Sequence, residues 1–175
     1  MAQYQFSVES IKFYDKGADG AMGATNAVTI TPIAEGSASM TIPEVNTNDI
    51  KAEDVAGVVA SLPTDQDAIE FNFQSLDFAN TSLMQFFGGT NAAGVYSYPA
   101  GGAPIIQKSF ELITKPYGGK KSKFTVPLAQ ISSSGDVQFV KDDLSKISVK
   151  VKILTPFNGS GVAQSPWQKE EVTVV

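Results

Sequence analysis

The stretch Lys146-Ile147-Ser148-Val149-Lys150-Val151-Lys152-Ile153 alternates polar and apolar residues without a break. Successive side chains of a β-strand point to opposite faces, so Ile147, Val149, Val151 and Ile153 face a core while Ser148, Lys150 and Lys152 face water. A sheet with one buried and one wet face is characteristic of antiparallel architecture, because parallel sheets are covered on both sides.

The same period recurs along the chain. Tyr4, Phe6 and Val8 share one face, and Ile11 and Phe13 continue on the other parity, which predicts a bulge near Glu9-Ser10. Further runs are Val28 with Ile30, Ala38 with Met40 and Ile42, Ile69 with Phe71 and Phe73, Phe110 with Leu112, and Phe124 with Val126. Turn chemistry falls between them at residues 15–20, Gly88-Gly89, Gly101-Gly102, Tyr117-Gly118-Gly119, Ser134-Gly135-Asp136 and Asn158-Gly159. This rhythm predicts a mainly β chain, an antiparallel β-sandwich or barrel. One short helix is expected over residues 81–87, with Asn80 or Thr81 as N-cap, Leu83, Phe86 and Phe87 toward the core, and Gly88 ending it.

Residues 43–64 break the rhythm. A connection of about 20 residues is too long to be a passive loop in a compact domain, and residues 51–59 within it read as a helical turn or an extended arm. The 175 residues suit one domain, 1–175, with a long protruding arm at about 43–64.

Composition removes most catalytic chemistry. The chain has neither Cys nor His, so disulfides, thiolate nucleophiles, imidazole bases and the usual zinc ligands are all missing. All 13 basic residues are Lys, and the net charge is −5, which disfavours sequence-reading nucleic-acid recognition, where Arg dominates. Asp15-Lys16-Gly17-Ala18-Asp19-Gly20 fails as a calcium loop because its third position is Gly17 and its twelfth is Asn26 rather than Glu. Gly88-Gly89-Thr90 lacks the Gly-Lys-Ser/Thr of a phosphate-binding loop. No catalytic residue, metal ligand or cofactor is expected, and the chain reads as a non-enzyme. No apolar run reaches the roughly 20 residues of a membrane span, and residues 1–9 lack a basic and apolar leader, so a protein made in the cytosol is expected.

Charge is unevenly distributed. Glu44, Asp49, Glu53, Asp54, Asp65, Asp67 and Glu70 face only Lys51 within residues 44–70, a net of −6. Lys108, Lys115, Lys120, Lys121 and Lys123 face only Glu111 within residues 108–123, a net of +4. An acidic and a basic surface on one subunit would draw copies together head to tail, and heterologous contacts of that kind build rings or filaments.

The order of these features resembles the tail tube proteins of long-tailed bacteriophages, relatives of the contractile-injection and type VI secretion tube proteins. The elements that carry the likeness are the early hairpin, the arm after Met40-Thr41-Ile42-Pro43, and the strand Ile69-Glu70-Phe71-Asn72-Phe73 leading to the helix at Thr81-Ser82-Leu83-Met84-Gln85-Phe86-Phe87. A late run follows through Phe124-Thr125-Val126-Pro127-Leu128-Ala129-Gln130-Ile131, Gly135-Asp136-Val137-Gln138-Phe139 and the alternating strand at 146–153. The resemblance implies a subunit whose copies form rings, usually of six, stacked into a hollow tube in the virion tail and assembled in the cytoplasm of the host bacterium. Its implied partners are itself, a tape-measure protein and genomic DNA in the lumen without sequence readout, and tail-tip and terminator proteins, with no membrane insertion by this chain. A like-charged wall would let DNA slide.

The residues expected at the contact between rings are Asp49, Glu53, Asp54, Asp65 and Asp67 of the arm against Lys115, Lys120, Lys121 and Lys123 of the basic turn. Single surface ion pairs contribute only about 0 to 1 kcal/mol, so Val55, Val58, Val59 and Leu62 are expected to supply most of the binding. Two other readings remain open at this level: a tube protein of a secretion or contractile injection device, and a carbohydrate-binding or adhesive β-sandwich using Tyr96, Tyr98, Tyr117 and Trp167.

Overall fold

The computed structural model of the chain describes residues 7–64, 66–136 and 144–174. Tyr4, Phe6, Asp65 and Val137-Gln138-Phe139 lie outside them. In chain order the elements are β1 (Val8–Asp15), β2 (Val28–Ile30), β3 (Ser39–Thr41), β4 (Thr47–Lys51), β5 (Val58–Pro63), β6 (Glu70–Ser75) and helix α1 (Asn80–Phe87). They continue with β7 (Thr90–Ala92), β8 (Val95–Ser97), β9 (Ile106–Thr114), β10 (Lys120–Asp136), β11 (Lys146–Ile153) and β12 (Gln168–Thr173). The main sheet is antiparallel throughout, in the order β2-β1-β9-β10-β11-β6-β3, with β12 also on β10.

β10 organises the sheet. Its first part pairs with β12 from Lys120 to Thr125, its second with β11 from Ala129 to Asp136, and β9 lies along its other side. Between the two parts Pro127 and Leu128 stand opposite the single residue Ser109 of β9, a β-bulge. The extra residue changes which parity faces inward: Ser122 and Val126 are buried before it, Ala129 and Ile131 after it. A bulge also accommodates a proline, whose missing N–H would otherwise break the ladder. A second bulge, between Val8 and Ser10, leaves Glu9 without a partner on β9 and flips the parity of β1, as the sequence predicts.

The sheet folds over on itself. β9 and β6 are three strands apart, about 14 Å in a flat sheet, yet the rings of Phe110 and Phe71 are 5.1 Å apart, and those of Phe13 and Phe73 are 6.4 Å apart. The segment that follows β2 brings the two edges together: Ile33 bridges to Ser75 of β6, and Leu76 N–H donates to the Pro32 carbonyl. The result is a sandwich-like fold and not a closed barrel. Ile11, Phe13, Ile30, Phe73, Phe110, Val126, Ile147, Val149 and Val151 form its centre, each at most 2 % exposed. Burying one such side chain contributes about 1.5–3 kcal/mol. β11 alternates exposed and buried along its whole length, as its sequence dictates.

Helix α1 covers part of this core with Phe86, whose ring meets Phe13 and Phe73 edge-on at 6.4 Å each. Leu83 and Phe87 pack partly buried beside it, and Gly88 ends the helix at φ 74°, where a side chain would be strained. The N-cap expectation is corrected. Ala79 holds that position, because the Asp77 carboxylate already accepts the Ala79 N–H and the Ser82 hydroxyl, and the Asn80 amide turns instead to the Gly94 carbonyl at 2.8 Å. The turn expected at Ser134-Gly135-Asp136 is also corrected: β10 runs through it, paired to Lys146, Ile147 and Ser148. Gly135 lies beneath the Phe87 ring, which stands 3.5 Å from where its Cβ would be, an ordinary packing distance.

Residues 43–64 form a hairpin of their own, not a helical turn. Among the described residues β4 and β5 pair only with each other, and every residue of both is exposed. Its base is closed by Thr64 N–H and Oγ1 on the Asn46 carbonyl and by the Gln66 amide on the Pro43 carbonyl. Among the described residues no helix is long and apolar enough to cross a membrane.

Candidate self-association surface

Two side-chain groups singled out by charge occupy distinct parts of the molecule. On the arm, Asp49 sits in β4 and accepts the Ser61 hydroxyl across the hairpin at 2.7 Å. Glu53 and Asp54 lie in the connection between β4 and β5, and Asp67 follows the hairpin, all exposed. Val55, Val58, Val59 and Leu62 are 50–55 % exposed. Val45 and Ile50, which sequence reasoning passed over, are exposed on the same excursion, and so is Ile42, which the alternation with Ala38 and Met40 counts as strand but which lies beyond the end of β3 at Thr41. Their signal was present as β-branched residues inside a polar, acidic stretch. An isolated two-stranded hairpin is marginal in water, and solvated apolar side chains add nothing to it.

The basic group lies where β9 turns into β10. Gly118 and Gly119, at φ 60° and 77°, make the two-residue turn, closed by backbone hydrogen bonds between Tyr117 and Lys120. Three of its four lysines meet carboxylates of their own chain. Lys120 pairs with Glu171 at 3.1 Å, Lys121 with Glu9 at 2.6 Å, and Lys123 with Glu111 at 3.2 Å. Glu9 and Glu171 come from outside the basic stretch, so the +4 of the sequence window is not the charge of the folded surface. Lys115 differs: among the described residues it has no ion-pair partner.

Glu111 is the most deeply placed carboxylate of the group. It lies on the outer face of β9, also 3.9 Å from Lys12 of β1, and accepts a long 3.4 Å hydrogen bond from the Tyr14 hydroxyl. Burial, followed by the Glu111 charge, raises the Tyr14 pKa above that of a free phenol. At the end of β1, Asp15 accepts hydrogen bonds from Lys108 and Asn26, which hold its carboxyl below the usual range.

Strand direction places both groups at one end of the sheet. Through the antiparallel register of β9, β10, β11, β6 and β3, the end of β9, the start of β6 and the end of β3 all point the same way. The arm departs between Thr41 and Glu70, and the lysine turn follows Thr114. The structure therefore brings the lysines together and the arm residues together, but does not bring the two sets into contact. β12 adds an exposed strand, paired among the described residues to β10, that carries Lys169, Glu170 and Glu171, residues typical of a guarded sheet edge.

The aromatics considered for sugar binding are dispersed. Trp167 stacks near Phe124 at 6.0 Å, Tyr98 lies against Phe87 at 6.4 Å, Tyr96 donates its hydroxyl to the Gly88 carbonyl at 2.9 Å, and Tyr117 stands at the β9–β10 turn. Compared with models of known protein families and with curated protein sequences, the chain matches none.

Proposed function

We propose that this chain is a structural subunit of the tail-tube type, whose copies join into rings that stack into a hollow conduit for DNA. One observation carries the reading. The β4–β5 arm exposes every strand residue and keeps Val58, Val59 and Leu62 half in water, an arrangement that gains free energy when another surface covers it. Among the described residues of one subunit the apolar side chains of the arm stay half exposed. A tube of a virion and a tube of a secretion or contractile injection device share this chemistry, and both fall under the proposal. No enzymatic role is proposed.

Imaging decides between self-assembly and a monomeric binding module. Purified protein concentrated and negatively stained should form rings or long hollow filaments. A chain that stays monomeric at high concentration and is retarded on a glycan column would discard the tube reading in favour of the adhesive one.

A further inference from the structure

A second surface of the molecule is also left open: a cavity of about 800 Å3 at the end of the folded sheet from which the arm departs. Phe71, Phe110, Leu112 and Val126 form its buried floor, and exposed Lys115 and Glu35 stand at its rim. Its size is that of a ligand pocket, and covering its solvent-open apolar floor would remove apolar surface from water. None of the arm residues lines it.

We propose that this cavity receives the arm of a second copy of the chain, with Val55, Val58 and Val59 entering the apolar floor and Glu53 and Asp54 facing Lys115. The inference rests on the self-assembly reading and names the surface that completes it. Three observations choose this occupant over a small amphiphile. The arm supplies half-exposed apolar side chains beside carboxylates, the counterpart of an apolar floor whose rim carries the Lys115 ammonium, which would attract those carboxylates, as well as the Glu35 carboxylate, which would not. Lys115 is the one lysine of its turn without a carboxylate partner among the described residues, since Lys120, Lys121 and Lys123 are paired. Arm and cavity lie at the same end of the subunit, so side-by-side copies can each give an arm and receive one. That is a heterologous contact between side-by-side copies, which builds a ring where its rotation closes, rather than the pairing between stacked rings that charge alone suggests.

The absence of native cysteine makes a disulfide test clean. Protein carrying Val58→Cys on the arm is mixed with protein carrying Ala38→Cys in the cavity wall under mild oxidation, with Met40→Cys as a second wall position should the first fail to fold. The expected product is a disulfide-linked pair of one chain of each kind, present in the rings or filaments seen by electron microscopy. Lys115→Glu should lower its yield several-fold, and Glu53→Lys with Asp54→Lys on the partner should restore it. Filaments without the cross-link at either wall position would overturn the cavity assignment while leaving self-assembly standing. Neither filaments nor cross-link would remove both. Dodecanoate bound to the cavity without reducing the cross-link would also overturn the assignment.

Discussion

The Ser109 hydroxyl donates a 2.6 Å hydrogen bond to the Pro127 carbonyl, and the same oxygen accepts the Gly23 N–H at 2.9 Å. Three distant segments thus meet on one fully buried hydroxyl at the bulge where β10 changes its inward parity. Ser109→Ala strands a buried N–H and a carbonyl, and should destabilise the fold by about 1–3 kcal/mol. Gly23→Ala should be more damaging, because its methyl would collide with the Asp15 carbonyl oxygen. Urea unfolding monitored by Trp167 fluorescence measures both.

Acid sensitivity is expected at Asp15. Its folded pKa lies below the unfolded one, through hydrogen bonds from Lys108 and then Asn26, so its contribution is present above the unfolded value and lost as pH falls through the folded value. The side chain is 40 % exposed, which keeps that contribution small. Asp15→Asn should flatten the decline in melting temperature below about pH 4, and melts from neutral pH to pH 2 would reveal an unchanged slope if the assignment is wrong.

Glu111 holds Lys12, Lys123 and the Tyr14 hydroxyl on the outer face of the sheet. Glu111→Ala should cost about 1–3 kcal/mol, since it leaves the lysines and the phenol without their acceptor. Glu111→Gln should lower the Tyr14 pKa only part of the way to that of a free phenol, because burial is the larger cause. Ultraviolet titration with Tyr14→Phe as control reads this directly.

Core and arm should respond in opposite ways. Phe13→Ala removes a ring in contact with Phe73, Phe86 and Phe110 and should cost about 3–5 kcal/mol. Leu62→Asp on the arm should leave unfolding within about 0.5 kcal/mol of the parent while abolishing filaments. Filament growth unaffected by Leu62→Asp would remove Leu62 from the interface.

Much of the fold was legible because strand identity is a local property. The parity switch between Val8 and Ile11 is visible in the order of side chains and reappears as the bulge at Glu9. The parity switch between Val126 and Ala129 is not read from the sequence, where only Phe124 and Val126 share a face, and comes from the bulge at Pro127-Leu128. Gly135 misled because a glycine in a strand and a glycine in a turn look alike until its pairing with Ile147 is known. The residues of the arm leave a helical turn and an extended arm both open, because neither face of its hairpin is buried, which erases the period-2 signal.

The amino-acid order by itself determined the β character, the inward faces of β1, β6 and β11, the helix that stops at Gly88, and the acidic excursion at residues 43–64. Only the tertiary structure decided which charges meet: Lys121 finds Glu9 and Lys120 finds Glu171 across more than fifty residues of chain. Side-chain alternation depends on bonds two residues apart, whereas charge compensation, sheet order and the open cavity depend on which strands come to lie side by side.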